Sequence, residues 1–269
     1  MTDRFLEGKT ALVTGSTQGI GLAIATALGE AGCRVAVHGL GDAGIVKKAT
    51  DTVVDAGASD VRHFDANFMD PDAIEVMMRQ VADWGDIDIL VNNAGIQKTT
   101  PLEDADTGTW NSILAVNLSA AFHTMRLAMP SMKERGYGRV VNIASVHGLV
   151  ASRDKAPYVA SKYGLVGLSR TAALEYADAG NRQSGGVTVN CICPGWTETE
   201  LIEPQVQART QQLGGGREAG VADLLREKQP SLRMSDPSEI GALAVWLCHR
   251  HAHNLTGTAI PIDGGWTAQ

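Results

Sequence analysis

Basic residues are in short supply: 23 Lys and Arg stand against 30 Asp and Glu, a net charge of -7, and the basic residues form no run. A surface that tracks nucleic-acid phosphates is therefore not expected. Nowhere do about 18 apolar residues run together, and the first nine residues, Met-Thr-Asp-Arg-Phe-Leu-Glu-Gly-Lys, hold no apolar signal region. The expectation is a soluble cytoplasmic chain with no membrane partner. Cysteine is scarce too. Cys33, Cys191, Cys193 and Cys248 are too few for a disulfide scaffold and show neither CxxC nor His-linked zinc spacing. They read as buried thiols in a reducing compartment, and no metal is expected. Aromatics make up only 5%. Gly is plentiful, at 30 of 269 residues against a usual ~7%, which suggests many tight strand-to-helix junctions.

What is present alternates. Residues 9–14 form a short β-type run, and a helical pattern over 20–31 follows a Gly-rich turn. Further strands are predicted near 34–38, 60–65, 87–92, 138–144, 187–193 and 258–262, with helical patterns between them. About seven strands joined by crossovers predict one α/β domain over 1–269 with a doubly wound, mostly parallel sheet. The near-continuous apolar runs at 87–92 and 138–144 fit strands covered on both faces. Residues 178–186 are small and polar and read as a surface loop. Residues 197–233 hold weak helical signals around Gly214, Gly215 and Gly216, after the carboxyl end of a strand. Ligands bind at that edge of such sheets, so this segment is expected to be a small helical lid.

The turn Thr14-Gly15-Ser16-Thr17-Gln18-Gly19-Ile20-Gly21 would let backbone amides approach a pyrophosphate at a helix N-terminus. On its own it is weak evidence, and its Gly-x3-Gly-x-Gly spacing is not GxGxxG. More follows in order: Asp65 after the third strand, Asn92-Asn93-Ala94-Gly95 after the fourth, then Asn117, Ser145, Tyr158-Val-Ala-Ser-Lys162 and Pro194-Gly195. Over residues 8–266 this ordered set resembles the short-chain dehydrogenase/reductase family. The resemblance implies a Rossmann-like fold, a homotetramer, and a nicotinamide dinucleotide held by Gly15, Thr17, Gly19, Ile20, Gly21, Asp65, Asn93, Thr199, Tyr158 and Lys162. The residues themselves argue the chemistry. Tyr158 and Lys162 are four apart on one helical face. A cation within ~4–6 Å can lower a phenol's pKa by about 1–3 units, fitting Tyr158 to exchange a proton with a substrate oxygen. Ser145 would hydrogen-bond that oxygen as charge develops. By resemblance, Asn117 supports a proton relay. The end of the second strand offers His38 where an acid usually reads the ribose, and Asp42 is better explained as a helix N-cap. No Arg or Lys lies in residues 38–44 or in the Gly-rich turn, so NAD is expected over NADP.

A polar set falls at the strand ends: Gln97, His147, Lys155, Trp196 and Gln205. One cation, one imidazole and two amides near one oxygen-binding site suit a small carboxylate. Here the resemblance narrows to the branch of the family that interconverts (R)-3-hydroxybutyrate and acetoacetate, carried by Asn92-Asn-Ala-Gly-Ile-Gln97, the stretch 142–152, Ile192-Cys-Pro-Gly-Trp196, Glu227-Lys-Gln-Pro-Ser-Leu232 and Asp263-Gly-Gly-Trp-Thr-Ala268. It implies carboxylate contacts from Gln97, His147, Lys155 and Gln205, an apolar wall from Trp196, and Trp266 reaching a neighbouring subunit's site. The chain departs from that branch at His38 and Leu40, at Ala66 and Asn67, at Pro204, and at Glu198, an acid where a base is more usual. Two other readings stand: a sibling reductase of a sugar, polyol or 3-oxoacyl thioester, and a nucleotide-binding protein without activity. The latter would be expected to have a damaged Tyr-x3-Lys pair, which this chain keeps intact.

Overall fold

A computed structural model of the chain describes residues 4–268. Seven strands, β1 (Thr10–Val13), β2 (Arg34–His38), β3 (Asp60–Phe64), β4 (Ile89–Asn92), β5 (Tyr137–Ile143), β6 (Gly186–Pro194) and β7 (Ala259–Ile262), form one sheet. Their order is β3-β2-β1-β4-β5-β6-β7, and each neighbouring pair runs parallel. Nine α-helices occur among the described residues: α1 (Gly19–Glu30), α2 (Ala43–Asp55), α3 (Pro71–Trp84), α4 (Thr107–Leu114), α5 (Ala120–Arg135), α6 (Ala156–Glu175), α7 (Glu203–Leu213), α8 (Arg217–Lys228) and α9 (Pro237–Leu247). The sheet is Rossmann-like and doubly wound, and its strands fall within two residues of the sequence expectation at either end. None of the helices is long and apolar enough to cross a membrane.

Alternation along the strands builds two cores. Leu12, Ala36, Leu90, Val140 and Val189 pack with Met77 and Val81 of α3 and Met125, Met129 and Met132 of α5. The intervening Ala11, Val13, Val35, Val37, Ile89, Val91 and Val141 pack instead with Ile24 and Leu28 of α1 and Ile240, Ala244 and Leu247 of α9. Burial on both faces is why these strands read as apolar runs rather than as half-polar ones. Several helix starts are fixed by side chains: Asp42 accepts from the Ile45 amide, Asp70 from Asp72, Asp106 from Thr109, and Asp236 closes a capping box with Glu239. Asp42 is therefore the N-cap expected of it. In contrast, α1 starts at Gln18 with no side-chain cap.

Three features position the site. The chain runs from β1 outward to β3 and then returns to the far side of β1 as β4, so a crevice opens at the carboxyl ends of β1 and β4. Between α4 and α5 the helix widens into a π turn over Ala115–Ser119. Behind the crevice a buried polar ladder crosses three strands. Thr124 Oγ1 donates to Asn92 Oδ1 (2.6 Å), Asn92 Nδ2 to Asn142 Oδ1 (2.8 Å), Asn142 Nδ2 to Ser169 Oγ (2.7 Å), and Cys191 Sγ to the same Ser169 Oγ (3.0 Å). All four cysteines are free and buried. Cys191 and Cys193 share one face of β6, packed with Leu165 and Val166.

Candidate active site

A cleft of about 490 Å³ runs along the carboxyl ends of the strands. Its phosphate-sized end is the turn into α1. Gly15 has φ +62°, and a Cβ there would lie 2.9 Å from Ala94 Cα; a Cβ on Gly21 would overlap the Gly15 carbonyl. These glycines let the turn close on the end of β4. Asn93 fastens the closure, its amide donating to Gly15 O and Thr14 O at 2.9 Å each, while Thr14 Oγ1 accepts from the backbone of Asn93 and Ala94. Thr17, Gln18, Gly19 and Ile20 line the cleft, where no side chain caps the helix. Uncapped first-turn amides and the positive end of a helix dipole suit a pyrophosphate. The Gly15 amide does not belong to that set, because it donates to His38 Nδ1 (3.1 Å). Gly21 packs behind the wall rather than lining it.

The chemical floor is built from β5 and α6. Ser145, just past β5, caps a short 3-10 turn by accepting from the His147 amide (3.2 Å), and its Oγ lies 3.3 Å from His147 Nδ1. Tyr158 and Lys162 lie one helical turn apart on α6, with Lys162 Nζ 5.6 Å from the Tyr158 ring centroid and donating to Ile143 O (2.9 Å). Asn117, in the π turn, grips Ile96 through both its amide oxygen and nitrogen (2.8 and 2.9 Å) and donates to Ser161 Oγ (3.1 Å). Gly95 leaves the gap between them: a Cβ would meet Asn117 Oδ1 at 3.5 Å and Lys162 Nζ at 3.6 Å. The four residues expected to carry the chemistry are thus gathered around one floor. Without a dinucleotide, the Tyr158 phenol is not depressed. Burial pushes it up to about 12, against a smaller lowering by the Ser145 hydroxyl, and burial pulls Lys162 down to about 8. Desolvation outweighs that hydrogen bond.

Beside the floor lies an aromatic box closed by the lid. Trp196 and Trp266 rings are 5.8 Å apart, and His147 meets Trp266 and Tyr158 edge-on at 5.5 and 5.8 Å. Trp266, expected to reach a neighbouring subunit, instead lines its own chain's cleft, because the turn at Gly264 and Gly265 brings it back over Trp196 and lid residues Ile202, Val206, Leu224 and Leu225. Lys155 Nζ donates to Gln205 Oε1 (2.8 Å) on α7 and lies 5.3 Å from the Trp196 ring. Gln97 also lines the cleft and gives one of its two amide hydrogens to Leu201 O (3.2 Å) at the lid's root. Burial lowers Lys155 to about 8, and burial followed by the charges of Lys155 and Lys228 lowers His147 to about 3. His147 is therefore a neutral ring at physiological pH. Its Nε2 and the Trp196 Nε1 are buried with no hydrogen-bond partner, two polar atoms in want of a counterpart.

The lid itself is the α7–α8 hairpin, turned at Gly214 with φ +66°. Thr199, at its root, approaches the cradle closely enough that a Cβ on Gly19 would lie 3.6 Å from Thr199 Cγ2. Glu198 does not face the cleft; it pairs with Arg217 (3.4 Å), which also pairs with Glu203 (3.1 Å). At the cleft's other end, Asp65 is exposed and lies outside the lining, which is made by residues 66–69, Leu40 and His38. Sequence reasoning missed residues 66–69, and it missed Gln229. That buried amide accepts from the Trp196 backbone N–H (2.9 Å) and donates to Arg233 O, so it sets the tryptophan's position from within the lid. No local pattern marks it; its partner lies 33 residues away.

A family model described as short chain dehydrogenase matches residues 9–210. The chain is 48% identical to the D-beta-hydroxybutyrate dehydrogenase of Cupriavidus necator, over 98% of this chain and 100% of that one. It is 44% identical to the protein of the same name from Rhizobium meliloti, over 97% and 99% respectively. Among solved structures, one described as an NAD(P)-dependent gluconate 5-dehydrogenase from Beutenbergia cavernae, with NADP bound at low occupancy, superposes with a TM-score of 0.87 at 33% identity, covering 99% of this chain and all of that one.

Proposed function

The chain belongs to the short-chain dehydrogenase family, and from that premise we propose that it interconverts (R)-3-hydroxybutyrate and acetoacetate with NAD. The observation that carries the substrate is the closed box beside Ser145 and Tyr158: a lysine on a glutamine, with His147 Nε2 and Trp196 Nε1 buried and unpartnered. With the His147 proton on Nε2, an imidazole N–H and an indole N–H beside an ammonium are matched by a carboxylate, which brings acceptors only. Two tryptophans leave room for a short chain rather than a sugar's ring of hydroxyls, for which the box has few partners. The two relatives from Cupriavidus necator and Rhizobium meliloti bear the name of this reaction.

The residues fit a dinucleotide. Thr17, Gln18, Gly19 and Ile20 present the uncapped end of α1 to its phosphates, Thr199 covers them, Asn93 shapes the turn, and Tyr158 and Lys162 would meet the nicotinamide end. When bound, the oxidised dinucleotide accepts a hydride and brings a positive charge. In the cofactor-free protein Tyr158 is a protonated phenol, ready to donate to a ketone oxygen. For alcohol oxidation the same phenol must take a proton, so added positive charge near its ring is needed to bring its pKa down from about 12. Ser145 holds the substrate oxygen, and Lys162 is kept at hand by its bond to the Ile143 carbonyl. Asn117 holds Ile96 in place next to Gln97. NAD is favoured over NADP because the cleft near His38 and residues 66–69 holds no Lys or Arg to meet a 2′-phosphate. The cytoplasm suits four buried free thiols. Trp110, Phe122 and Leu174, exposed on α4, α5 and α6, are supports for a homotetramer.

The test is reduction of each dinucleotide by purified protein with (R)- and (S)-3-hydroxybutyrate, sugars and polyols. Turnover with (R)-3-hydroxybutyrate and NAD is expected. Activity confined to an uncharged polyol would retire the carboxylate box and keep the floor.

A further inference from the structure

We propose that His38 is a positioning residue for the dinucleotide: its imidazole clamps the Gly-rich turn to the segment after β3 and thereby fixes the adenosine end of the cleft without touching the ribose. The proposal rests on the reading that this cleft takes a dinucleotide. β2 ends at His38, paired with Phe64 of β3, and the side chain is 3% exposed. Its Nδ1 accepts from the Gly15 amide at 3.1 Å, and its Nε2 lies 3.1 Å from Ala66 O. A carbonyl can only accept and a backbone amide can only donate, so one ring form alone satisfies both: neutral, with the proton on Nε2. The other neutral tautomer would face N–H to N–H and leave a nitrogen lone pair against a carbonyl oxygen. An imidazolium would also break the Gly15 bond. The Phe68 ring stacks on the imidazole at 4.1 Å and 18°. Burial, acting first, brings the imidazole down to about 4, with smaller effects from Ala66 O, His63 and Asp65. The neutral form is therefore kept through the physiological range.

Both ring nitrogens are used, so His38 has nothing left for a ribose hydroxyl or a phosphate. Where such folds commonly place an acid to read the 2′-hydroxyl, this chain places a strut. The backbone of His38 holds Ser16 by two further bonds, His38 N–H to Ser16 Oγ (3.0 Å) and Ser16 N–H to His38 O (2.7 Å). Those fix the turn to β2. The strand pairing of His38 stops at Phe64, and the His38 side chain carries the connection two residues on to Ala66, and hence to Asn67, Phe68 and Met69 in the cleft wall. Removing it leaves the Gly15 amide and the Ala66 carbonyl without this partner and loosens a wall segment otherwise held by the core packing of Ala66 and Phe68.

The experiment uses the whole chain and the fluorescence of bound NADH, with saturating kcat measured alongside. Asn can place an oxygen where Nδ1 lies but cannot reach Ala66; Gln can reach Ala66 with its amide but offers Gly15 no well-placed acceptor. We expect His38→Ala to weaken NADH binding about tenfold while kcat stays within about twofold. Neither His38→Asn nor His38→Gln, each keeping one half of the clamp, should recover native binding, and full recovery by either overturns the clamp. NADH binding by His38→Ala equal to that of the native chain overturns the clamp, as does a loss confined to kcat. A native chain that binds no NADH overturns the dinucleotide reading and the clamp together. Nitrogen NMR of the native chain at about pH 6 should show His38 neutral and protonated on Nε2, and a proton on Nδ1 overturns the proposal whether or not any variant folds.

Discussion

The two walls of the cleft are held in different ways. The floor wall, with Asn117, Ser145, Tyr158 and Lys162, is less than a tenth exposed at every one of these positions, and it is fixed by bonds to the end of β5, to Ile96 beyond β4 and to Ser161 of α6. The lid wall has one buried residue on α7, Val206, and three on α8, Gly220, Leu224 and Leu225. Its polar links are largely surface ion pairs, such as Arg209 to Asp223 (3.1 Å) and Arg217 to Glu203 (3.1 Å). Few apolar contacts and exposed pairs place a segment at the low end of local stability. The difference teaches that, on the proposed function, the residues assigned to chemistry sit where geometry is over-determined, and those assigned to substrate choice sit against a segment more loosely held.

The largest effect should come from breaking the floor. Tyr158→Phe is expected to lower kcat about 10²- to 10⁴-fold while NADH binding, followed by fluorescence, stays close to native. Turnover near the native rate would remove Tyr158 from the acid/base role. The next effect belongs to Lys155, the cation tied to the lid through Gln205. Lys155→Ala should raise KM for 3-hydroxybutyrate about 10- to 100-fold and leave NAD binding nearly unchanged; equal weakening of both would place Lys155 on the dinucleotide.

The same lysine sharpens the contrast through pH. A lysine is charged below its pKa, and burial sets Lys155 at about 8, so it is mostly charged at neutral pH and loses its charge as pH rises past 8. KM for the acid should therefore be flat below that point and climb above it, approaching tenfold per unit, as one titrating group requires. Because Lys162 also titrates near 8, the control is Lys155→Ala, whose KM profile should be flat. A rise that persists in that variant assigns the titration elsewhere. Smaller still, Gln229→Leu unpairs the Trp196 amide and should raise KM about fivefold with little change in kcat. The least effect is expected for Arg217→Ala, within about twofold in KM, because its ion pairs are exposed. A large loss there would show that the lid is held by charge and not by its apolar underside.

Much of the floor was legible because its residues announce themselves locally: Tyr158 and Lys162 are one helical turn apart, and Ser145 and the Asn92-Asn93 pair end apolar strands. Strand positions followed from the same cause, since burial on both faces leaves unbroken apolar runs. The adenosine end and the support under Trp196 were not legible. His38 meets a carbonyl 28 residues away, Gln229 meets an amide 33 residues away, and neither contact leaves a spacing to read. Trp266 was placed in a neighbouring subunit by resemblance, whereas the positive-φ glycines at 264 and 265 turn it into its own site. The burial that raises the Tyr158 phenol in the cofactor-free chain leaves no mark in the sequence, which shows only the charge partner.

The ladder of Thr124, Asn92, Asn142 and Ser169 has a consequence for how the sheet assembles. Apolar strands such as β4 and β5 bury valines on both faces, so hydrophobicity alone distinguishes poorly between pairing in step and pairing one residue out. Asn142 lies opposite Asn92 and Cys191 in the native register. A slip of one residue would turn its amide to the opposite face, into the layer of Ile24, Leu28 and Ile240. Each amide orphaned there would cost about 1–3 kcal/mol. The ladder thus acts as a proofreading mark in the middle of the sheet, weighing against misaligned strands before the strand ends that carry Ser145 and Asn93 come into line.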